Sequence, residues 1–279
     1  MTTKDTELWV RFEDLGSPGE SPGESPGGQP GGEPGFGRLD GGVIAVHDGD
    51  MFAGPTPTGR TIALDAVTLL TPTAPGKMIA LWNNFHALAA KAGLTPPAEP
   101  LYFIKADTSY APTGAVIRRP PGYDGKVVYE GELGIVIGKP AAGLTESEAV
   151  EAIFGYTCIN DVTAIEILDR DPTFAQWTRA KSFPGFGAFG PAVATGLDPR
   201  DLTVRTVLNG TKRQNYPVAD MIHAPARIVS MISQDVTLQP GDIICCGTSV
   251  GVGSMKEPDN LVEVSIEGIG TLSNRFRQT

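Results

Sequence analysis

Polar and apolar side chains alternate along residues 129–138, where the sequence reads Tyr-Glu-Gly-Glu-Leu-Gly-Ile-Val-Ile-Gly. Successive side chains of a strand point to opposite faces, so this alternation predicts a strand. Two carboxylates that share one face repel each other, and burying them is costly unless a cation or a proton neutralises them. One predicted face carries Glu130, Glu132, Gly134 and Val136, and the other carries Leu133, Ile135 and Ile137.

Two explanations account for this acidic pair. A divalent ion with oxygen ligands, Mg²⁺ or Mn²⁺, would neutralise Glu130 and Glu132, and Gly134 beside them would leave space for it. A solvated sheet face that carries two charges would account for the same residues. Asp161 offers a third carboxylate within the largely apolar run Tyr156–Val162. An Asp at that position is either the cap of a following helix or a buried ligand.

Short apolar runs separated by turn residues predict a mostly β, mixed α+β fold, because 35 Gly and 24 Pro favour turns and strands over long helices. Two helices are also predicted, a short Ala-rich one over Asn83–Ala92 and one that opens with the capping box Thr145–Glu148. Further predicted strands include Leu8–Phe12, Lys77–Leu81, Leu101–Lys105 and, as the last strand of the sheet, Leu261–Ile266. Another, Leu202–Gly210, is predicted to run into an Asn-Gly turn.

Composition divides the chain near residue 75. Residues 16–35 consist almost entirely of Gly, Pro, Ser, Glu and Gln, with a repeated Ser-Pro-Gly-Glu unit. Such a segment cannot bury apolar surface, so we predict a disordered insertion there. Strand-like patterns on both sides of it predict a small N-terminal β domain over residues 1–75. The linker Thr71–Gly76 leads into a second domain over residues 76–279.

The charge and hydropathy of the chain argue against two classes of partner. A formal net charge of −10 without a basic stripe argues against nucleic acid. No apolar run reaches the roughly 18–20 residues that span a bilayer, and the first seven residues contain no signal-peptide core, so we expect a cytoplasmic protein without a membrane partner. The three cysteines, Cys158, Cys245 and Cys246, fit a reducing compartment and are interpreted as core residues.

Several short motifs agree in order and spacing with one protein family. They are Tyr129–Leu133, Gly155–Thr157, Asn160–Ala164, Ala180–Phe183, Gly190–Pro191 and Gly247–Thr248. Together they resemble the fumarylacetoacetate hydrolase superfamily, in particular its 2-hydroxyhepta-2,4-diene-1,7-dioate isomerase or decarboxylase-like members. The resemblance covers roughly residues 70–279. It implies the family's β-roll for a catalytic domain over residues 76–279, a homodimer, and Glu130, Glu132 and Asp161 as metal ligands.

The segment that activates water in hydrolytic members departs from the family pattern. In those members a His and, three residues later, a Glu follow an Asn-Tyr start. Matching Asn84-Phe85 to that start places Leu88 at the His position and Lys91 at the Glu position. Neither side chain takes a proton from water as a His–Glu pair would. His86 lies two residues before Leu88, and a catalytic role and a structural or surface role both remain open for it.

Four further residues match family positions around the substrate. Lys181 matches an active-site Lys that would stabilise negative charge on an enolate, and a surface Lys is the alternative. Lys105 would help to bind a carboxylate or would lie solvated at a strand end. Gly247 and Thr248 would face substrate oxygens. Where the family often has an Arg that clamps a substrate carboxylate, this chain has Ile165, so the substrate lacks that carboxylate or binds it elsewhere.

The expected function is that of a divalent-metal-dependent enzyme acting on a small-molecule 2-oxo acid or β-dicarbonyl compound. Decarboxylation or isomerisation through an enolate at the metal ranks first, because the His–Glu pair is missing. Hydrolysis of a C–C bond in a substrate of the acylpyruvate or fumarylacetoacetate type ranks second. A catalytically silent protein that binds the metal or a dicarboxylate is the remaining alternative.

Overall fold

Strands dominate the fold, which a computed structural model describes for residues 6–15 and 34–279. The strands are β1 (Glu7–Asp14), β2 (Gly35–Asp40), β3 (Val43–Asp48), β4 (Thr56–Ala63), β5 (Val67–Leu69), β6 (Met78–Trp82), β7 (Leu101–Lys105), β8 (Tyr110–Ala111), β9 (Val116–Arg118), β10 (Val127–Tyr129), β11 (Gly131–Ile137), β12 (Ile153–Asp161), β13 (Thr163–Ala164), β14 (Gly187–Thr195), β15 (Thr203–Leu208), β16 (Thr211–Pro217), β17 (Ile243–Cys245), β18 (Gly253–Ser254), β19 (Asp259–Ile266) and β20 (Gly270–Arg277). The α-helices are α1 (His86–Ala92), α2 (Glu146–Ala152), α3 (Trp177–Lys181) and α4 (Pro225–Asp235). These elements confirm the predicted mostly β, mixed α+β class. Within the described ranges, no helix has the length and apolar character needed to cross a membrane.

The largest sheet joins the N-terminal strands to the rest of the chain. It has 12 strands in the order β4-β3-β2-β1-β14-β12-β11-β17-β6-β7, with β5 beside β1 and β8 beside β14. Because β1 pairs with β14, from Glu7 opposite Thr195 to Trp9 opposite Val193, the N-terminal strands extend the same sheet. A domain boundary near residue 75 stays a prediction. The predicted disordered insertion lies outside the described residues, except that Gly35 at its end begins β2.

The predicted strand over residues 129–138 is two strands, so that prediction was wrong in its extent. Glu130 lies between β10 and β11 and belongs to neither. β10 pairs with β13 and β18 in a 3-stranded sheet, whereas β11 pairs with β12 and β17 in the large sheet. The chain passes from one sheet to the other at Glu130. The strand pairing is interrupted at this residue, whereas side chains on both sides of it still alternate between the two faces.

The two faces of β11 are divided as the sequence predicted. Leu133, Ile135 and Ile137 belong to the largest cluster of buried side chains. Val136 belongs to a second cluster on the opposite face, together with Met78 and Phe189. All three cysteines are free and buried, which confirms them as core residues. The carboxylate of Glu132 in β11 therefore points to the face of the second cluster, into the interior.

The C-terminal part of the chain corrects one prediction and confirms another. A 5-stranded sheet has the order β16-β15-β19-β20-β9, so β19 is not the last strand. β20 escaped prediction because its outward positions are mostly polar and only alternate residues such as Leu272 and Phe276 are buried. The predicted Asn-Gly turn after β15 is present, since Asn209 and Gly210 both have positive φ, 50° and 75°.

Two of the helix predictions concern where helices begin. The capping box at α2 is confirmed, because Thr145 accepts from the backbone N–H of Glu148 and the Glu148 side chain accepts from that of Thr145. α1 begins at His86 rather than at Asn83, which has a left-handed backbone with φ of 56°. The Asn84 side chain instead accepts from the His223 N–H at 2.9 Å and donates to the Cys246 carbonyl at 2.9 Å. This amide therefore fixes the start of α1 against the loop that follows β17.

The buried carboxylate of Asp242 joins the residue before β6 to the turn before β17. Asp242 accepts from the backbone N–H of Lys77 at 3.0 Å and of Gln239 at 2.8 Å, and it pairs with the Lys77 ammonium group. The side chain of Asp242 is completely buried. We call these three residues the Asp242 junction. The neighbouring Thr73 hydroxyl donates to the Gly241 carbonyl at 2.9 Å, which ties the linker before β6 to the same turn.

Candidate metal centre

The antiparallel pairing of β11 with β12 brings the three predicted acidic ligands together. Gly131 lies opposite Asn160 in this pairing, and the backbone N–H of Asp161 donates to the Glu130 carbonyl at 2.9 Å. Oxygens of Glu130, Glu132 and Asp161 all lie within 4.8 Å of one another. We call these three side chains the carboxylate site. Asp161 ends β12 and is completely buried, so it does not cap a helix.

The oxygens of the carboxylate site are unequally satisfied. Glu130 Oε1 accepts from the Thr163 hydroxyl at 2.6 Å. One oxygen of Glu132, Oε2, accepts from the Gly247 N–H at 2.9 Å. The other, Oε1, is buried and has no hydrogen-bond partner. A buried carboxylate oxygen without a donor is costly, and a bound cation would remove that cost.

Two buried lysines compensate part of the negative charge. Lys181, the last residue of α3, places Nζ 2.6 Å from Asp161 Oδ2 and 2.9 Å from Glu130 Oε1. Lys105, the last residue of β7, pairs with the other oxygen of Asp161 and donates to the Lys181 carbonyl. Three carboxylates and two ammonium groups leave a formal charge of −1. A solvated position for Lys105 is therefore wrong, because its side chain is completely buried.

The pKa shifts follow from this arrangement. Burial, and then the negative charge of Asp161, raise the pKa of Glu132 well above its ordinary value. Burial alone would raise the pKa of Asp161, but Lys105 and Lys181 lower it below its ordinary value. Burial would likewise lower the pKa of Lys181, but Asp161, Glu130 and Glu132 together raise it. The three carboxylates therefore favour the protonated form of Lys181.

The donor set fits a hard divalent cation. Carboxylate oxygens are the ligands that Mg²⁺ and Mn²⁺ prefer, and three of them converge here. A further cation would give the unpartnered Glu132 oxygen a partner and would offset the residual negative charge. Glu130, Glu132 and Asp161 would hold it, while Lys105 and Lys181 keep the surrounding charge close to neutral.

A polar network behind the site fixes the backbone of Gly131 between the two glutamates. The Thr248 hydroxyl donates to the Gly131 carbonyl at 2.9 Å, and Gln214 accepts from the Gly131 N–H at 3.0 Å while donating to Thr248 at 2.9 Å. Tyr216 also donates to the Gly131 carbonyl. A Cβ at Gly131 would lie only 2.0 Å from the Thr206 hydroxyl oxygen, so no larger residue fits.

Sequence reasoning missed Gln214 and Tyr216 and identified Gly247 and Thr248. Gln214 and Tyr216 lie in β16, where both are buried and alternate with exposed neighbours. This alternation within the strand is the pattern that could have identified them. A buried Gln inside a polar strand needs partners, and here it binds the backbone of the acidic segment. Contact of Gly247 and Thr248 with substrate stays a prediction, since both already hold groups of the carboxylate site.

The segment around α1 leaves the identity of a base open. His86 is exposed at the first position of the helix, and no hydrogen bond or ion pair of the described residues involves it. Leu88 packs, partly buried, against the main core, and Lys91 is exposed. α1 contains no acidic residue. A catalytic role for His86 therefore stays a prediction, without a partner on its own helix.

One cleft of the described surface lies apart from the carboxylate site. A volume of about 480 Å³ is bordered by Lys212, Arg213 and Lys256 beside the loop that contains Gly251. None of the three acidic residues lines it. The carboxylate site is instead a closed arrangement, in which the ammonium groups of Lys105 and Lys181 lie against the carboxylates.

Comparison with known proteins places these residues in a wider group. Residues 77–277 match the family model described as fumarylacetoacetate (FAA) hydrolase C-terminal, and residues 29–72 match one described as Rv2993c-like, N-terminal. Protein Rv2993c of Mycobacterium tuberculosis is 42% identical over 226 residues, which cover 80% of this chain and 83% of that protein.

Two further relatives carry names that describe an activity. The 4-hydroxyphenylacetate degradation bifunctional isomerase/decarboxylase of Salmonella dublin is 36% identical over 207 residues, which cover 73% of this chain and 47% of that protein. The crystal structure of 2-hydroxyhepta-2,4-diene-1,7-dioate isomerase from Mycobacterium marinum is similar with a TM-score of 0.82 and 34% identity, over 99% of each chain.

Proposed function

The chain belongs to the fumarylacetoacetate hydrolase family, and from this premise we propose that it is a divalent-metal-dependent enzyme which decarboxylates or isomerises an enolisable 2-oxo acid or β-dicarbonyl compound. One observation carries the proposal: three buried carboxylates converge beside an oxygen of Glu132 that has no partner. Mg²⁺ or Mn²⁺ is the proposed ion. When bound, it would act as a Lewis acid towards a substrate oxygen.

The charge balance of the site suits an anionic substrate. A divalent cation would change the formal charge of the carboxylate site and its two lysines from −1 to +1. The carboxylate of a 2-oxo acid would then bring the total to zero. Lys181 stays protonated and is buried, so its ammonium group can stabilise negative charge that develops on the substrate. Lys105 positions Lys181, because its ammonium group donates both to Asp161 and to the Lys181 carbonyl.

The surroundings of α1 favour decarboxylation or isomerisation over hydrolysis. Hydrolysis needs a base that takes a proton from water, whereas loss of CO₂ needs no proton removal and isomerisation moves a proton of the substrate itself without deprotonating water. α1 offers the partly buried Leu88 and the exposed Lys91, and it has no carboxylate to orient His86. The names of the two relatives above, an isomerase/decarboxylase and an isomerase, agree with this ranking.

A substrate panel tests the proposal. Purified protein with Mg²⁺ or Mn²⁺ is mixed with oxaloacetate, with a 2-hydroxy-2,4-diene-1,7-dioate and with acetylpyruvate, and protein-free metal serves as the background. We expect CO₂ release from the first compound or a shift of the diene absorbance of the second. Lys181→Met should lower kcat/KM by about 100-fold or more, whereas Lys212→Met, an exposed lysine, should leave it unchanged.

The remaining outcomes decide between the alternatives. Rapid cleavage of acetylpyruvate to pyruvate and acetate would reverse the ranking in favour of a C–C hydrolase. A saturable rise in melting temperature with metal and oxalate, without turnover of any compound, would identify a catalytically silent binding protein. A homodimer, as the resemblance implies, and a location in the cytoplasm belong to the same proposal, and light scattering of the purified protein tests the dimer.

A further inference from the structure

One face of the large sheet connects the carboxylate site to a group of aromatic side chains. Residues that pair across neighbouring strands point to the same face. The paired residues are, in order across the sheet, Gly134, Cys245, Ala80 and Phe103. Glu132 lies two residues from Gly134 and Trp82 two residues from Ala80, on the same side of this row. Both therefore stand on the face that carries Phe103.

Small residues separate the carboxylates from the aromatic side chains. Gly134 and Ala80 lie in the row between β11 and β7, and Gly247, just after β17, lies between the strands of Glu132 and Trp82. A Cβ at Gly247 would meet the Leu81 carbonyl oxygen at 3.3 Å, so this position has no room for a side chain towards β6. No bulky group therefore stands between Glu132 and Trp82 along the backbone of the sheet.

The aromatic side chains form a stack that begins at the catalytic lysine. Lys181 Nζ lies 5.6 Å from the centre of the Phe103 ring. Phe103 stacks on Trp177 with a centroid distance of 5.2 Å and an angle of 21°. Trp177 contacts Trp82 at 5.1 Å and 43°. Because Trp177 and Lys181 are four residues apart on α3, they lie on the same side of the helix. We call Phe103, Trp177 and Trp82 the aromatic wall.

The aromatic wall runs from the interior to the surface. Phe103 and Trp177 are partly buried, whereas Trp82 is 37% exposed and Leu101, which pairs with it, is 46% exposed. In the part of the chain that the structure describes, the recorded cation on these rings is Lys181, whose ammonium group is already paired with Glu130 and Asp161. Arg179, two residues from both Trp177 and Lys181, is exposed and lies on another side of α3, so the wall itself offers ring faces and no unpaired charge to a ligand.

We propose that the aromatic wall binds the substituent of the substrate, and that this substituent is an aryl or similarly flat, uncharged group rather than a second carboxylate. The inference rests on the proposed function, because it places the 2-oxo acid end of the substrate at the carboxylate site. Flat apolar groups gain most from offset stacking on indole rings, whereas a carboxylate would lose its hydration there without finding a cation. Ile165, where a clamping Arg was expected, adds no charge that would reverse this preference.

Three unreactive ligands with the same 2-oxo acid end test this. N-methyloxamate carries a small substituent, N-phenyloxamate an aryl group and N-oxalylglycine a second carboxylate. Binding is measured with Mg²⁺ or Mn²⁺ by calorimetry and by tryptophan fluorescence in Trp9→Phe, in which Trp82 and Trp177 are the remaining emitters. We expect N-phenyloxamate to bind about 10-fold tighter than either other ligand and to quench the emission.

Variants of the exposed end of the wall separate the possible outcomes. In Trp82→Ala the preference for the aryl ligand should fall to about 3-fold or less while the affinity for N-methyloxamate is unchanged, and Trp82→Leu should be intermediate. Equal binding of all three ligands, a preference for N-oxalylglycine, or an aryl preference that survives Trp82→Ala would overturn the inference and leave the proposed function standing. Failure of N-methyloxamate to bind with either metal would overturn both.

Discussion

The Asp242 junction and the carboxylate site both bury negative charge, but they balance it differently. Asp242 accepts from two backbone N–H groups and pairs with Lys77, so each of its oxygens has a partner. In the carboxylate site three acids share two ammonium groups, and Glu132 Oε1 has no partner. The charge of Asp242 is balanced by its partners, whereas the carboxylate site has one formal negative charge in excess.

This difference in charge balance indicates a structural role for Asp242 and fits the proposed ligand role of Glu132. Backbone donors hold Asp242 in the turn before β17, so its charge contributes to the fold itself. The excess charge of the carboxylate site costs stability in the absence of a cation, and a folded chain keeps such a cost where a ligand offsets it. Variants at each place should therefore change different measured quantities.

The largest effect on stability is expected at the junction. Asp242→Ala should lower the free energy of unfolding by about 3 kcal/mol, because it removes a completely buried carboxylate and leaves two backbone N–H groups and an ammonium group without their acceptor. Urea denaturation measures this. Asp259→Ala is the control: its pairs with Arg275 and Arg277 are exposed, so less than about 1 kcal/mol is expected. If Asp242→Ala also removed the stabilisation by metal, the two regions would not be independent.

The next effect is that of the cation itself. Mg²⁺ or Mn²⁺ at 100 times its Kd should stabilise the wild type by about 2.7 kcal/mol, and EDTA should reverse this. Thermal melts at several metal concentrations measure it. Glu132→Gln should abolish the shift, because it removes one of three charged ligands. A shift of equal size in Glu132→Gln would mean that the ion binds elsewhere.

A smaller effect of opposite sign is expected when the metal is absent. In EDTA at pH 8, Glu132→Gln should raise the free energy of unfolding by about 1 kcal/mol, because it removes repulsion from Glu130 and Asp161. The amide oxygen can still accept from the Gly247 N–H, as Oε2 does now. Glu151→Gln, at an exposed position, should change stability by less than about 0.5 kcal/mol. Destabilisation by Glu132→Gln would show that the buried charge is balanced after all.

The smallest effect concerns an acid near the surface. Burial would raise the pKa of Glu166, but hydrogen bonds from the Tyr123 hydroxyl and the Lys126 N–H lower it below its ordinary value of 4.5. A lowered pKa stabilises the fold above pH 4.5, and this contribution is lost as the pH falls through the folded-state value.

Tyr123→Phe should therefore destabilise the protein by less than about 1 kcal/mol at pH 7, because Glu166 is largely exposed to solvent. The difference from wild type should shrink between pH 5 and pH 3, leaving only the part due to the hydrogen bond to the Lys126 carbonyl. Denaturation at a series of pH values measures it. A difference that grows towards low pH would contradict the sign of the shift.

Local patterns in the sequence were sufficient to predict which face the acidic side chains occupy, but not which strands and side chains surround them. Alternation around Gly134 assigned the faces of β11 correctly, because the pleat of a strand is a local property. The break at Glu130 depends on which sheet each half joins, and this is decided by partners more than 30 residues away, such as Ala164 and Ser254. A single strand was therefore the simplest but incorrect interpretation.

The contacts of the site depend on chain segments that are distant in sequence. Lys105 is 56 residues from Asp161, and its burial against that acid follows from the docking of β7 at the edge of the large sheet. The position of Lys181 was predicted only through the family resemblance. The ring contact of Trp82 with Trp177 joins β6 to α3, and neither residue alone carries a pattern that reveals the other.

The pairing of β1 with β14 also bears on how this chain can be shortened. β14 lies beside β12, which carries Asp161, and β1 covers its outer edge at residues 193–195. A chain cut before residue 76 would expose the backbone N–H and carbonyl groups of that edge to water. Uncovered strand edges act as templates on which another molecule can add its own strand. Truncated versions that begin at residue 76 should therefore self-associate, and residues 6–15 protect against it.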